Sequence, residues 1–154
     1  MIDSNTIAIY GSYPNYPYGT IDPIPELAKL AKKHKIGFHI DACLGGLIVA
    51  FLKDHEGKFT VDIDGATSIS LDHHKYGLAP KGVSTVFFRK REMRHLMYFV
   101  YADWVGGLYG TPSFVGSRAG FASAGAWYAL TQVGKKQYQE NAKEISDATK
   151  KSAA

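Results

Sequence analysis

The sequence has a single cysteine, Cys43, among its 154 residues, and this scarcity limits the kinds of site that the chain can build. One cysteine cannot form a disulfide within the chain, and it cannot supply a cysteine-built zinc site. No base is positioned beside it in the sequence, so we expect a small buried residue rather than a nucleophile. This cysteine usage is typical of proteins from a reducing compartment.

Long apolar runs are also missing. The longest covers nine residues, from Leu44 to Leu52, and it includes two glycines. A membrane-spanning helix needs about 20 apolar residues. Residues 1–4, Met-Ile-Asp-Ser, do not begin the basic and then apolar pattern of a secretory leader. We therefore expect this stretch of chain to be soluble.

The excess of positive charge is small. Lysine and arginine number 18 and aspartate and glutamate 14, which gives a formal net charge of +4. The densest basic runs, residues 29–35 and 89–94, fall near predicted helix ends, so we interpret them as solvated faces and expect no nucleic-acid partner. Hydrophobic residues make up 45% of the chain, which is enough for one domain with a real core.

Runs of apolar, β-prone residues predict four strands, over residues 6–10, 36–41, 66–70 and 83–88. The first should be fully buried and should stop at Gly11. Helices are predicted over 44–52, 91–99, 121–133 and 135–150, with a glycine-rich span at 106–120. Strands that alternate with helices predict the α/β class, with a mainly parallel sheet and flanking helices.

One further helix has a clear start between the first two strands. Asp22 is a good N-cap and Pro23 suits the first helical position. The helix should present one apolar face, formed by Ile24, Leu27, Leu30 and Ala31.

Three polar segments fall at the predicted carboxyl ends of strands, where open α/β sheets bind ligands. They are the loop 12–19, Asp41 with the following glycines at 45–46, and residues 72–75. Lys75 follows two imidazoles, and such surroundings lower the pKa of a lysine and make its amine a usable nucleophile. The simpler alternatives are a surface lysine at position 75 and a helix cap or buried ion-pair partner at Asp41. His39, inside a strand, should be a satisfied core histidine.

Tyrosines at positions 10, 13, 16 and 18 could form a packed aromatic cluster, and one or two could donate a hydrogen bond to a substrate. A metal site is the other alternative for this region. Residues 62–64 and 72–74 look like the Asp and Asp-His-His elements of a divalent-metal phosphoesterase. Adjacent histidines in an extended segment point to opposite faces, however, so His73 and His74 do not easily share one ion. We therefore assign no metal ligands.

An aspartate at one strand end and a lysine after a later strand form the pattern that a pyridoxal-phosphate site needs. The lysine forms a Schiff base with the cofactor aldehyde, and the aspartate keeps the pyridine nitrogen protonated so that the ring accepts electrons. Asp41 and Lys75 match this pattern.

The residues around both positions extend the match. Residues 39–46 (His-Ile-Asp-Ala-Cys-Leu-Gly-Gly) and 67–82, which include Lys-Tyr-Gly-Leu-Ala-Pro-Lys-Gly, closely resemble the sphingosine-1-phosphate lyase family. Further matching segments, in the family's order, are residues 18–23, 103–109 and 116–120. The similarity runs from about Ile7 to Ile145, and the Lys-Tyr-Gly run together with Asp-Trp-Val-Gly-Gly is its most specific part. This family belongs to the fold-type I, group II decarboxylase-like pyridoxal-phosphate enzymes.

The resemblance implies roles for the matching positions. Lys75 would be the Schiff-base lysine and Asp41 the partner of the pyridine nitrogen. His74 would hydrogen-bond the cofactor phosphate, and Ser12 would lie near the ring. Lys81 matches the family's second lysine, a candidate proton-transfer group near the cleaved carbon, and a tyrosine of loop 13–18 is another candidate for that step.

Gly116 and Ser117 would reach the cofactor phosphate of a neighbouring subunit, which implies a homodimer with shared active sites. His73 and Ala119 depart from residues often seen in the family, but neither has an assigned role. The family's subunits are longer than this chain, so we interpret residues 1–154 as part of the large cofactor-binding domain, without the N-terminal segment and the small C-terminal domain.

The implied activity is that of an aldehyde-lyase which cleaves phosphorylated sphingoid bases to a long-chain aldehyde and phosphoethanolamine. An amino-acid decarboxylase of the same superfamily is the nearest alternative. The alternative from another class is a catalytically inert fragment or interaction module, and we expect these residues alone to be inactive. The implied location is the cytoplasm or, in a eukaryote, the cytosolic face of the endoplasmic reticulum, with membrane contact only through a segment outside this chain.

Overall fold

The centre of the molecule is a four-stranded sheet, seen in a computed structural model that describes residues 1–55 and 62–153. Its strands are β1 (Ala8–Ser12), β2 (Gly37–Ala42), β3 (Ser68–Asp72) and β4 (Ser84–Phe88), and they lie side by side in that order. β1 and β2 are parallel, as are β2 and β3, whereas β4 runs antiparallel to β3. The predicted α/β class with a mainly parallel sheet is confirmed.

The register brings the ends of the parallel strands to one edge of the sheet. Ser12 pairs with Asp41 across β1 and β2, and Asp41 pairs with Ser70 across β2 and β3. β3 ends at Asp72, so the turn that carries Lys75 leaves the sheet at the same edge. Segments that are far apart in the sequence therefore meet here.

The prediction that β1 is fully buried and stops at Gly11 is wrong. Gly11 pairs with Ile40 inside the ladder, and a Cβ at this position would lie 3.1 Å from the Ile24 side chain. The strand needs a glycine there because a helix packs closely over it. Only that face is covered, since Ala8 and Tyr10 on the opposite face are exposed.

Helix α1 (Ile24–His34) covers this face of β1 and β2. Its buried residues, Ile24, Ala28 and Ala31, confirm two of the four predicted apolar positions, while Leu27 is half-buried and Leu30 is 38% exposed. Full burial of a side chain such as Phe38 or Ile40 from the facing strand contributes about 1.5–3 kcal/mol. This layer is the main core of the structure.

Asp22 does not cap α1 with its side chain. The residue that precedes the helix is Pro23, and the Asp22 carboxylate instead accepts a hydrogen bond from the Ser12 N–H at 2.7 Å. Asp22 therefore ties the end of β1 to the start of the helix.

Apart from β3, β4 and the C-terminal helix, the elements after β2 are short. They are α2 (Gly46–Val49), a 3-10 turn (Lys53–His55), α3 (Arg91–His95), and the two-stranded hairpin β5 (Phe99–Tyr101) and β6 (Tyr109–Thr111). The helix predicted to reach residue 99 ends at His95, because the aromatic and β-branched residues that follow form β5. The glycine-rich span contains β6, which the sequence analysis missed.

Helix α4 (Gly120–Ser152) closes the described chain, and it is broken at Gly134, whose φ of 70° and ψ of 161° are not helical. The two predicted C-terminal helices are therefore confirmed. α4 packs on α2, and Tyr138 stacks on Phe51 with the ring centroids 5.7 Å apart. Across the described ranges, no helix combines the length and the apolar character needed to span a membrane.

Candidate active site

Asp41 sits at the carboxyl end of β2, and two donors hold its carboxylate. Its Oδ1 accepts the N–H of Cys43 at 2.9 Å, and its Oδ2 accepts the O–H of Tyr10 at 2.8 Å. Burial raises the pKa of this carboxyl, but the two hydrogen bonds outweigh burial and leave the pKa below its usual value. Asp41 is therefore a fixed anion at the edge of the sheet.

Lys75 lies in the turn that follows β3. Its backbone N–H donates to the Asp72 carbonyl at 3.3 Å, and its Nζ lies 3.0 Å from Asp72 Oδ2 and 3.3 Å from Cys43 Sγ. Burial lowers the pKa of the Lys75 amine, but the contacts with Asp72 and Cys43 raise it above its usual value. The prediction of a lowered pKa is therefore wrong for this state of the chain, because an anion rather than a cation is the nearest charged neighbour.

The sequence analysis gave Asp72 no role of its own. It was named only within the segment 72–75 and in a metal-binding pattern, yet it forms an ion pair with Lys75 and accepts a hydrogen bond from the Ser84 hydroxyl at 2.6 Å. Asp72 faces the lysine because of the conformation of this turn, which the order of residues does not indicate. Asp72 holds Lys75 on the β3 side of the site.

Cys43 connects the two charged groups. Its backbone donates to Asp41, and its sulfur accepts from Lys75. The residue is half-buried rather than buried, and burial raises the pKa of its thiol. Cys43 therefore remains a neutral thiol at neutral pH, as expected of a residue that is not a nucleophile.

The two adjacent histidines face different partners. His73 is buried and its Nε2 lies 2.7 Å from Thr85 Oγ1, while Nδ1 of His74 donates to the Val83 carbonyl at 2.8 Å. They do not converge on one point, in agreement with the argument against a shared metal ion. Within residues 1–55 and 62–153 no three His, Cys, Asp or Glu side chains group in a way that could hold a metal.

Lys81 contacts the lysine turn, the segment after β3 that carries Lys75. Its exposed Nζ donates to the backbone carbonyl of His74 at 3.2 Å, next to Lys75 in the chain. Nε2 of His74 lies 3.6 Å from Asp72 Oδ2. His74 and Lys81 therefore lie beside the Asp72–Lys75 pair. The role of His74 in binding the cofactor phosphate and that of Lys81 in proton transfer stay predictions.

Ser12 stands beside Asp41 through the β1–β2 register, and its backbone is tied to Asp22. The four tyrosines nearby do not form one cluster, so that prediction is wrong. Tyr13 is buried and its hydroxyl lies 2.6 Å from His55 Nδ1, whereas Tyr16 and Tyr18 are 71% and 84% exposed. Tyr10 is the one that joins the site, through Asp41.

Gly116 and Ser117 lie in a loop between β6 and α4. The hydrogen bonds recorded for these residues are local: the Gly116 N–H donates to the Ser113 carbonyl at 3.2 Å, and Arg118 donates to the Ser117 carbonyl at 2.8 Å. Ser117 is exposed and Gly116 half-buried. Their predicted contact with a second subunit stays a prediction.

Comparison with known proteins places the chain in a wider context. A family model described as the pyridoxal-dependent decarboxylase conserved domain matches residues 8–154. The chain is 46% identical over 153 residues to a sphingosine-1-phosphate lyase of Arabidopsis thaliana, and 48% identical over 148 residues to sphingosine-1-phosphate lyase 1 of Rattus norvegicus. These matches cover 97% and 94% of this chain but only 28% and 26% of the relatives.

Solved structures agree with this. The sphingosine-1-phosphate lyase of Burkholderia pseudomallei superimposes with a TM-score of 0.84 at 42% identity, over 92% of this chain and 33% of that one. A glutamate decarboxylase of Lactobacillus brevis superimposes with a TM-score of 0.79 at 25% identity, over 95% and 34% of the two chains. The chain therefore spans about a third or less of the proteins that it matches.

Proposed function

Because the chain belongs to the pyridoxal-dependent decarboxylase family, we propose that its protein is a pyridoxal-phosphate-dependent lyase that cleaves phosphorylated sphingoid bases to a long-chain aldehyde and phosphoethanolamine. One observation carries the proposal: Lys75 and Asp41, an amine and a carboxylate, meet on either side of Cys43 at the ligand-binding edge of the sheet. Identities of 43–48% to curated sphingosine-1-phosphate lyases support this choice of substrate.

The groups at this edge fit the cofactor. Lys75 offers a primary amine for an aldehyde, and the anionic Asp41 offers an acceptor for a protonated ring nitrogen. When bound, pyridoxal phosphate supplies an aldehyde that combines with amines and a ring that accepts the electrons of a bond broken at the amine-bearing carbon. We assign the phosphate to His74 and to the Gly116–Ser117 segment of a second copy, and the vicinity of the ring to Ser12.

The chain's own residues would have the following roles. Lys75 must first lose its extra proton, since only the neutral amine is a nucleophile. Asp41 stays ionised, because two hydrogen bonds favour its charged form. Lys81, as the neutral amine, would take the proton of the substrate's 3-hydroxyl, and the C2–C3 bond then breaks to release the aldehyde. Return of a proton to C2 completes phosphoethanolamine. Tyr13 already contacts His55, so Tyr16 and Tyr18 are the tyrosines of the loop left as further candidates for this proton transfer.

Reductive trapping tests the cofactor assignment. The protein is incubated with pyridoxal phosphate and reduced with borohydride, and peptide mapping by mass spectrometry identifies the labelled lysine. We expect label on Lys75, lost in Lys75→Ala and Lys75→Arg, and retained in Lys33→Arg, a control at an exposed position of α1. Label scattered over many lysines in the unmodified protein would overturn the assignment.

An amino-acid decarboxylase is the second candidate, and the similarity to the Lactobacillus brevis glutamate decarboxylase favours it. Both reactions would use the Asp41–Lys75 pair, but the decarboxylase breaks the bond to a carboxylate. Incubation with sphinganine 1-phosphate and separately with a set of amino acids distinguishes them. The lyase releases an aldehyde from the first substrate, and the decarboxylase releases carbon dioxide from one of the second set.

We propose a homodimer with shared sites. Support comes from apolar side chains exposed around the β5–β6 hairpin and the following loop, where Leu108 is 76% exposed and Val105 and Phe114 are almost fully exposed. Sedimentation analysis of the protein tests this, with a dimer expected. A chain limited to residues 1–154, assayed beside the full protein, tests the inert-fragment alternative, and we expect no lyase activity from it.

We propose the cytoplasm as its location, or the cytosolic face of the endoplasmic reticulum in a eukaryotic source. The two are separated by fractionation of cells that express the full protein.

A further inference from the structure

The carboxylate of Asp41 is held from two independent directions. One donor, the Cys43 N–H, belongs to its own chain segment, and the other, the Tyr10 hydroxyl, reaches across from β1. Tyr10 is not the register partner of Asp41 but its diagonal neighbour, two residues before the Ser12 that pairs with it. A short side chain at position 10 could not span this distance, so the contact depends on the phenol.

A row of polar side chains across β1, β2 and β3 positions the ring of Tyr10. It lies against the imidazole of His39, its register partner on β2, with the ring centroids 5.0 Å apart and the planes tilted by 40°. Both nitrogens of His39 meet serine hydroxyls of β3, Ser68 at 2.8 Å and Ser70 at 3.1 Å. His39 is hydrogen-bonded as predicted, but it is half-buried and not a core residue. His39 is fixed by these hydrogen bonds and offers Tyr10 a rigid surface.

Tyr10 needs such support because burial does not hold it. Its side chain is 65% exposed, on the sheet face opposite α1. The contact with His39 and the hydrogen bond to Asp41 are therefore what define the position of its hydroxyl among the described residues.

We propose that Tyr10 is a positioning residue which keeps the Asp41 carboxylate oriented and anionic for the ring nitrogen of pyridoxal phosphate. The inference rests on the proposed function, and it assigns to Tyr10 a role through Asp41 rather than a contact with substrate. A carboxylate has about four acceptor positions, so the bonds to Tyr10 and Cys43 leave capacity for a third donor.

Charge at the site agrees with this role. Burial and the Asp41 carboxylate raise the pKa of Tyr10 to about 12, so the phenol keeps its proton and acts only as a donor near neutral pH. The ionisable groups that face the phenol in the described chain are Asp41, Cys43, Asp72 and His39. Because a hydrogen bond to a charged acceptor is stronger than one between neutral groups, its loss at Asp41 should weaken the binding of a cation held there.

Cofactor affinity is the first test. We expect Tyr10→Phe to weaken pyridoxal phosphate binding about 10-fold or more, measured by fluorescence titration of the full protein. Tyr128→Phe is the matched control, since this tyrosine of α4 is 62% exposed, and it should leave the affinity unchanged. In an Asp41→Asn background, Tyr10→Phe should cost less than about 3-fold, because the charge through which it acts is gone.

A second readout needs no cofactor. With isotope-labelled tyrosine, the ring-carbon NMR signal that disappears in Tyr10→Phe belongs to Tyr10. This signal should remain that of the neutral phenol as the pH is raised past about 10, the usual pKa of tyrosine. In Asp41→Asn it should titrate at a lower pH than in the unmodified protein, which tests the Tyr10–Asp41 bond without changing Tyr10.

The outcomes separate the two proposals. If Asp41→Asn and Lys75→Arg both leave pyridoxal phosphate binding intact, the proposed function fails. If these variants lose binding while Tyr10→Phe behaves like Tyr128→Phe, the role of Tyr10 is overturned and the proposed function stands. An equal loss from Tyr10→Phe in both Asp41 backgrounds, or the same titration of Tyr10 in the unmodified protein and in Asp41→Asn, also overturns it.

Discussion

The Nζ of Lys75 lies 3.0 Å from the Asp72 carboxylate, three residues earlier in the same turn. The pair is largely shielded from water, with the two side chains 27% and 13% exposed. The Asp72 carboxylate therefore stabilises the protonated form of the Lys75 amine and raises its pKa.

Asp72→Asn should lower the pKa of the Lys75 amine, because burial still disfavours the cation while its anionic partner is gone. We expect faster acylation of Lys75 near neutral pH. Peptide mass spectrometry across a pH series measures the acylation rate in protein without bound cofactor. Asp64→Asn is the control, since that exposed carboxylate forms its ion pair with Lys32 and not with Lys75. An acylation profile for Asp72→Asn that coincides with the unmodified protein would refute the assignment.

Tyr138→Phe should destabilise the protein by about 1–3 kcal/mol, since it leaves the Gly77 carbonyl without its buried donor. The Tyr138 hydroxyl donates to that carbonyl at 2.8 Å, and the tyrosine is only 4% exposed. Urea unfolding measures the change, with Tyr128→Phe, at a 62% exposed position of the same helix, as the control. Equal stability of the two variants would count against the contact.

Gly77→Ala should also destabilise the lysine turn, by about 1–3 kcal/mol. An added Cβ would lie 2.6 Å from the carbonyl oxygen of His73 and 2.6 Å from the Leu47 side chain, and the backbone oxygen cannot move aside alone. Gly110→Ala is the comparison, because no atom lies within 4 Å of a Cβ there. Thermal unfolding and the yield of trapped Lys75 are the measurements, and a Gly77→Ala protein that matches Gly110→Ala in both would contradict the packing.

Acid should destabilise the fold through two imidazoles, that of the buried His73 and that of the half-buried His39. Burial lowers the pKa of His39 and of His73 below the usual value. As the pH falls below about 6.5, the unfolded chain therefore binds protons that the folded chain does not, and stability declines. His73→Asn should reduce the loss of unfolding free energy between about pH 7.5 and pH 5.5, whereas His34→Asn, at an exposed position, should not. An unchanged pH dependence in His73→Asn would show that its ring titrates normally.

Much of this fold could be predicted, because alternating apolar strands and amphipathic helices leave periodic signals. The sheet class, α1 and the two C-terminal helices came from such signals. The β5–β6 hairpin did not, since its strands are only three residues each and lie beside glycines that predict a loop. Gly11 was interpreted as a strand end, because its reason for being a glycine is the helix packed above it.

The site residues also differ in whether the sequence predicts them. The positions of Ser12, Asp41 and Lys75 follow from the rule that strand ends meet at one edge, which needs no side-chain detail. Tyr10 and Asp72 were missed because their roles depend on diagonal register and on the conformation of one turn. Those geometric details have no counterpart in the order of residue types along the chain.

The strands lie in the sheet in the order in which they occur in the sequence. Each described strand of the sheet therefore pairs with the strand that precedes it in the chain, which keeps the contacts within the sheet local. The edge that carries Ser12, Asp41 and Lys75 is thus made by successive segments, whereas Tyr138 ties the lysine turn to α4 across a separation of 61 residues.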